Sequence, residues 1–224
     1  MQIGIQTPLC CCCCCCAVPN PNPQQVIEIF ETPDALYEVM ELCVGGDIGT
    51  VLTAEPNMRF TEPRVRPLVG KMVRAVAYLH ANNLVHRDLK LDNYIFTSKK
   101  AIAELKLIDF GLSRQYFEDE GEHMTRCTGT PAYMAPELIM NDYTESSDMW
   151  SLGVTIFVMV SGAFPFEWDD SVVRQKIVEL SRDPAVVRQH IERQLQNNQM
   201  YGTFWLSFHR FDRFELDLRG HTQP

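Results

Sequence analysis

A chain of 224 residues with 46% hydrophobic and 22% charged side chains can enclose one sizeable core, which excludes a fibrous or wholly disordered protein. A formal net charge of -9 and a pI near 5.1 exclude a typical nucleic-acid binder, which would need a basic face, and suit a cytoplasmic protein acting on basic peptides. Nine cysteines would ordinarily mark a disulfide or zinc framework, but the seven from Cys10 to Cys16 are consecutive and have neither disulfide geometry nor ligand spacing.

The first 24 residues, the cysteine tract and then Val-Pro-Asn-Pro-Asn-Pro, read as disordered and low in complexity. No Lys or Arg precedes Arg59, so a signal peptide would lack its charged region. Val26–Glu31 and Ala35–Leu42 are apolar runs split by Thr32-Pro33-Asp34, a strand, turn, strand pattern. Gly45-Gly46-Asp47 ends the second strand and caps a short helix reaching about Thr53. Pro63–Ala81 is helical by period, with Val65, Leu68, Val69, Met72, Val73, Val76 and Leu79 on one face, and Pro67 is expected to kink or restart it.

Short strands are expected at Leu84–His86, Tyr94–Phe96 and Leu105–Ile108. Ser147–Ser161 is an apolar helix inside a run, Met149–Trp168, nearly long enough to span a bilayer; Gly162 and Pro165 interrupt that run, which favours a buried core helix over a membrane span. Asp170–Leu180 is amphipathic. From about Arg182 the text becomes rich in Gln, Asn and aromatic residues and carries no kinase pattern; it reads as a helix or an out-of-frame extension.

His86-Arg87-Asp88-Leu89-Lys90-Leu91-Asp92-Asn93, then Asp109-Phe110-Gly111, then Ala135-Pro136-Glu137 resemble, in that order, the catalytic half of a eukaryotic protein kinase of the serine/threonine type. Val85–Gly111 and Gly129–Phe166 are most similar to the calcium/calmodulin-dependent group. The resemblance implies an α+β, protein-kinase-like fold with a mainly helical large lobe and a two-stranded remnant of the small lobe. It divides the chain into a low-complexity segment (1–24), a partial kinase domain (25–181) and a divergent tail (182–224).

Carried over onto these positions, the resemblance makes Asp88 the acceptor of the substrate hydroxyl proton and Lys90 a stabiliser of the transferring phosphoryl group. A lysine at that point implies serine or threonine substrates. Asn93 and Asp109 would hold Mg2+, and Asp148 would brace the catalytic loop. Thr130, in Gly129-Thr130-Pro131, would tie the substrate-docking loop to Asp88 and Lys90. Backbone groups of Glu41 and Cys43 would bond the adenine edge of ATP, with Met40 behind it, Ile95 against its face, and Asp47 placed for a ribose hydroxyl or a basic substrate side chain. Arg87 and Arg114 would grip a phosphate placed on Thr125 or Thr128 by an upstream kinase.

Within these 224 residues there is no Gly-x-Gly-x-x-Gly; Gly4 is the only glycine before Gly45, and no lysine precedes Lys71. The polypeptide by itself is therefore expected to bind ATP weakly and to transfer little or no phosphate, since each lost charge-stabilising group costs about 10²–10³ in rate. The two functional readings are a serine/threonine kinase and a weak or inactive kinase relative that acts as a protein-binding module.

Overall fold

Alternating apolar residues and a tight turn build the sheet that opens the fold. In a computed structural model of the chain, which describes residues 2–6, 23–100, 103–117, 123–166 and 183–197, the strands Gln2–Gln6 (β1), Val26–Glu31 (β2) and Leu36–Met40 (β3) form one antiparallel sheet in the order β1-β3-β2. The turn between β2 and β3 closes through Thr32, whose N–H donates to the Ala35 carbonyl at 2.8 Å and whose hydroxyl accepts from the Ala35 N–H at 3.1 Å. It sets Glu31 opposite Leu36. β1 falls inside the stretch read as disordered and makes the sheet three-stranded where two strands were expected. Its Gln-Ile-Gly-Ile-Gln run can pair because one edge of β3 offers a row of backbone groups that need partners. β2 is an edge strand, and Ile27, Ile29 and Phe30 on it are exposed.

Asp47 caps the helix Ile48–Thr53 (α1): its Oδ1 accepts from the Thr50 N–H at 2.7 Å and its Oδ2 from the Thr50 hydroxyl at 2.6 Å. Burial pushes the Asp47 carboxyl up, but these bonds outweigh it and hold it below the usual carboxylate range. The long helix, Glu62–Ala81 (α2), buries Val65, Leu68, Met72, Ala75, Val76 and Leu79. It runs through Pro67 as one element. The missing N–H there forfeits a single bond early in a helix otherwise anchored along its buried face.

Leu84–Val85 (β4) pairs with Arg114–Gln115 (β7), and Tyr94–Phe96 (β5) with Leu105–Leu107 (β6). Pro136–Ile139 (α3) precedes Ser146–Ser161 (α4), which packs against α2 and is buried from Val154 to Ser161. Gly162 ends α4 with φ +76°, its N–H donating to the Val158 carbonyl at 2.9 Å; a Cβ there would stand 2.5 Å from the Asn57 carbonyl, so only glycine fits. Among the described residues no helix is long and apolar enough to cross a membrane.

The chain forms two compact units, Met1–Arg182 and Asp183–Pro224. The second unit contains the helix Pro184–Asn197 (α5), one of the two outcomes open for this text. Its start has a local cause: the Asp183 carboxylate accepts from the Ala185 N–H at 2.9 Å, and Pro184 occupies the first helical position. The expected helix at Asp170–Leu180, the cysteine tract and residues 198–224 lie outside the described residues.

Candidate active site

The loop after β4 is held from below by one carboxylate. Asp148, on the first turn of α4 and fully buried, accepts from the backbone N–H of His86 and of Arg87, each at 2.8 Å, and from His80 Nε2 at 2.9 Å. Burial alone would raise its pKa, but the hydrogen bond and charge of His80 and the bond from His86 outweigh burial and hold it down. Arg87 needs this anchor. Its φ of +68° is a left-handed conformation that costs a non-glycine residue on the order of 1–3 kcal/mol.

His86 is fully buried and edge-on to Phe110, with ring centroids 5.2 Å apart. Its Nδ1 accepts from the Asp88 N–H at 3.3 Å, so the proton sits on Nε2, which donates to the Ile108 carbonyl at 3.2 Å. The ring thus links the loop carrying Asp88 to the segment carrying Asp109. Burial pushes its pKa below the ordinary 6.5, against the pull of Asp148, the Ile108 carbonyl, Asp88 and Asp109. A depressed folded-state pKa contributes stability that is fully present above pH 6.5 and lost as the pH falls below it, because the unfolded chain takes up a proton that the folded one refuses. His80, across Asp148, is common to wild type and variant. The stability advantage of wild type over His86→Phe is therefore expected to shrink between pH 7.5 and 5, by up to about 1.4 kcal/mol per pH unit in urea titrations. A constant gap would contradict this.

Four of the expected site residues meet at Asp88, itself 7% exposed. Lys90 Nζ donates to Asp88 Oδ2 at 2.8 Å and to Thr130 Oγ1 at 3.0 Å, and Thr130 Oγ1 donates to Asp88 Oδ1 at 2.7 Å. Asn93 Nδ2 donates to the Asp88 carbonyl at 2.8 Å, which leaves Asn93 Oδ1 an open acceptor. Gly129 lets Thr130 come this close. At φ +114°, a Cβ on it would stand 2.5 Å from the Arg87 carbonyl.

Asp109 follows β6, exposed, at φ +63°, with one oxygen accepting from the Gly111 N–H at 3.3 Å. The Ile108 N–H donates to the Asn93 carbonyl at 2.9 Å, so Asn93 and Asp109 leave adjacent points of the β5–β6 pair. One carboxylate and one amide oxygen suit Mg2+, which keeps water and substrate phosphate in its remaining positions. Among the described residues no cluster of three or more His, Cys, Asp or Glu offers a full protein cage.

Around the segment after β3 the picture is divided. Ile95 lies opposite Lys106 in the β5–β6 pair, and the Asp47 backbone bridges to Ile95. Cys43 is buried, which pushes its thiol pKa up, and its backbone makes no hydrogen bond among the described residues. Both backbone groups of Glu41 are already bonded: its N–H donates to the Gln25 carbonyl at 3.1 Å, and its carbonyl accepts from Gln24 Nε2 at 2.8 Å. Its side chain accepts from the Gln25 N–H at 2.9 Å and pairs with Lys106 at 2.8 Å.

Gln24 and Lys106 were not singled out on reading the sequence, and neither was Glu38. Glu38 lies two residues before Met40 on β3, is 3% exposed, and its Oε1 has no hydrogen-bond partner among the described residues. Burying such an oxygen costs free energy, so Glu38→Leu is expected to raise stability by about 1–3 kcal/mol in thermal melts. A lowered Tm would show that this carboxylate has a partner in solution.

The Arg87 guanidinium donates from Nε to the Leu112 carbonyl at 2.6 Å and from a terminal nitrogen to the Tyr143 hydroxyl at 3.3 Å, and that hydroxyl donates to the Arg126 carbonyl at 2.8 Å. Arg114 lies opposite Val85 in the β4–β7 ladder, two residues from Arg87. Thr125 is exposed and Thr128 half-buried in the segment leading to Gly129.

The protein kinase domain family model matches residues 17–203. Calcium-dependent protein kinase 14 of Arabidopsis thaliana is 34% identical over 171 residues, covering 74% of this chain and 31% of the relative. Serine/threonine-protein kinase 33 of Mus musculus is 39% identical over 156 residues, 65% of this chain and 31% of the relative. Serine/threonine-protein kinase 17A of Oryctolagus cuniculus is 36% identical over 144 residues, 64% of this chain and 36% of the relative. The chain thus spans about a third of the length of the curated relatives it matches. With a family model matched over most of its residues and the Asp88, Asn93 and Asp109 segments brought together, the chain belongs to the protein kinase family.

Proposed function

We propose that the chain transfers the γ-phosphate of ATP to serine or threonine hydroxyls of a protein substrate. The observation that carries this reading is the Asp88 carboxylate, one oxygen held by Lys90 and the other by Thr130. Oδ2 accepts from Lys90 Nζ and, at 3.4 Å, from Asn93 Nδ2, so it is Oδ1, which accepts from Thr130, that keeps a lone pair for an incoming hydroxyl. As that hydroxyl oxygen bonds to the γ-phosphorus, its proton passes to Asp88, the bond to the β,γ-bridging oxygen breaks, and the electron pair leaves with ADP. Lys90 offsets charge on the phosphoryl oxygens. Asn93 and Asp109 would hold Mg2+, whose chemistry here is charge neutralisation on the phosphates. The Asp47 and Asp92 carboxylates both approach the Gly49 position, at 3.1 and 3.2 Å from where a Cβ would be, which supports a basic substrate peptide. Phosphate on Thr125 or Thr128, placed by an upstream kinase, would draw on Arg87 and Arg114 and order the segment before Gly129.

The test is label transfer from Mg·[γ-32P]ATP to serine, threonine and tyrosine versions of one basic peptide. The expected result is slow labelling of the serine and threonine versions alone. Labelling no greater than with the Asp88→Asn protein would favour the second reading, a kinase-family binding module, which the bonded Glu41 carbonyl supports.

A further inference from the structure

The contact between Gln24 and Glu41 bears on which nucleotide the site accepts. Gln24 is 6% exposed and doubly fixed: its backbone N–H donates to the Leu107 carbonyl at 3.0 Å, and its carboxamide to the Glu41 carbonyl at 2.8 Å. The Glu41–Gln25 bonds and the Lys106–Glu41 pair hold the rest of this strap in place, and Pro23 bridges to Leu107. On the proposed nucleotide-binding reading, on which this inference rests, the Glu41 carbonyl is the acceptor that would recognise an exocyclic amino group and reject a keto oxygen. Gln24 has taken that place. Among the described residues the backbone N–H of Cys43 has no partner, and a donor of this kind serves equally the ring nitrogen of a 6-amino purine and the oxygen of a 6-oxo purine.

We propose that Gln24 is a specificity-determining residue: by capping the Glu41 carbonyl it removes the group that tells amino from keto purines, so that the site takes ATP and GTP with comparable affinity. Displacing the carboxamide costs an entering adenine the bond it would gain. A side chain of similar size without a donor returns that bond to adenine alone, worth about threefold to tenfold in affinity.

Dissociation constants for Mg·ATP and Mg·GTP, measured by ligand-observed NMR on the full chain and on Gln24→Met, test this. In the wild type the two constants are expected within about fivefold of each other, with the variant binding ATP about threefold to tenfold more tightly and GTP no more tightly. A wild-type preference for ATP beyond about fivefold overturns the proposal, and this arm stands even where the variant does not fold. A ratio that Gln24→Met leaves unchanged overturns it too. In both cases the nucleotide-binding reading survives, whereas binding of neither nucleotide to the wild type overturns that reading and the proposal with it.

Discussion

Replacing Asp88 with asparagine is expected to lower phosphate transfer to a serine peptide by about 10²–10⁴-fold while leaving the fold intact. Asparagine keeps the size of the side chain and an oxygen for Thr130, whose hydroxyl donates to Asp88 at 2.7 Å. What it loses is the charge that pairs with Lys90 and the capacity to take a proton at neutral pH. On the proposed reading the change should fall on kcat, since Asp88 would meet the hydroxyl in the reacting state and take no part in adenine recognition. Radiometric assay of the two proteins side by side reads the effect, and thermal melts confirm equal folding. A variant transferring at more than a third of the wild-type rate would remove Asp88 from the chemistry.

Asp148→Ala is expected to destabilise the first unit by about 3–5 kcal/mol, the cost of breaking a buried charge network by removing one partner. The carboxylate is fully buried, and its loss strands the His86 and Arg87 N–H groups. With it goes the anchor that holds Arg87 at φ +68°. Chemical denaturation gives the number. A loss below about 1 kcal/mol would mean that the loop is held by its own sequence and not by α4.

These two residues also show how much of the molecule can be read in advance. Asp88, Lys90, Asn93 and Asp109 are legible because they sit in short motifs whose order is distinctive; the Lys90–Thr130–Asp88 contacts are legible only through the family resemblance, and the structure adds that Gly129 allows the close approach to the Arg87 carbonyl. α2 and α4 are legible from their apolar period and their Gly or Asn ends. β1 is not legible, because a five-residue strand has too few alternations to stand out and its partner residues lie 30 to 38 positions away in sequence. α5 was obscured by the Gln-rich and aromatic text around it, although Asp183-Pro184 is a sound start signal.

The bond between Gln24 and Glu41 was hidden for a different reason. It joins residues 17 apart, and nothing in either residue type announces it until β2 and β3 are paired in register. Glu38 escaped notice because one acid in an apolar strand reads as an outward-facing position, whereas here it is buried.

The central claim, that Asn93 and Asp109 together hold the metal that accompanies ATP, is tested most directly with Mn2+, a paramagnetic substitute for Mg2+, added with ATP to isotope-labelled protein. The account predicts line broadening centred on the backbone amides of Leu91–Tyr94 and Ile108–Gly111, abolished by Asp109→Asn. Broadening scattered over other acidic residues, or unaltered by that substitution, would contradict it.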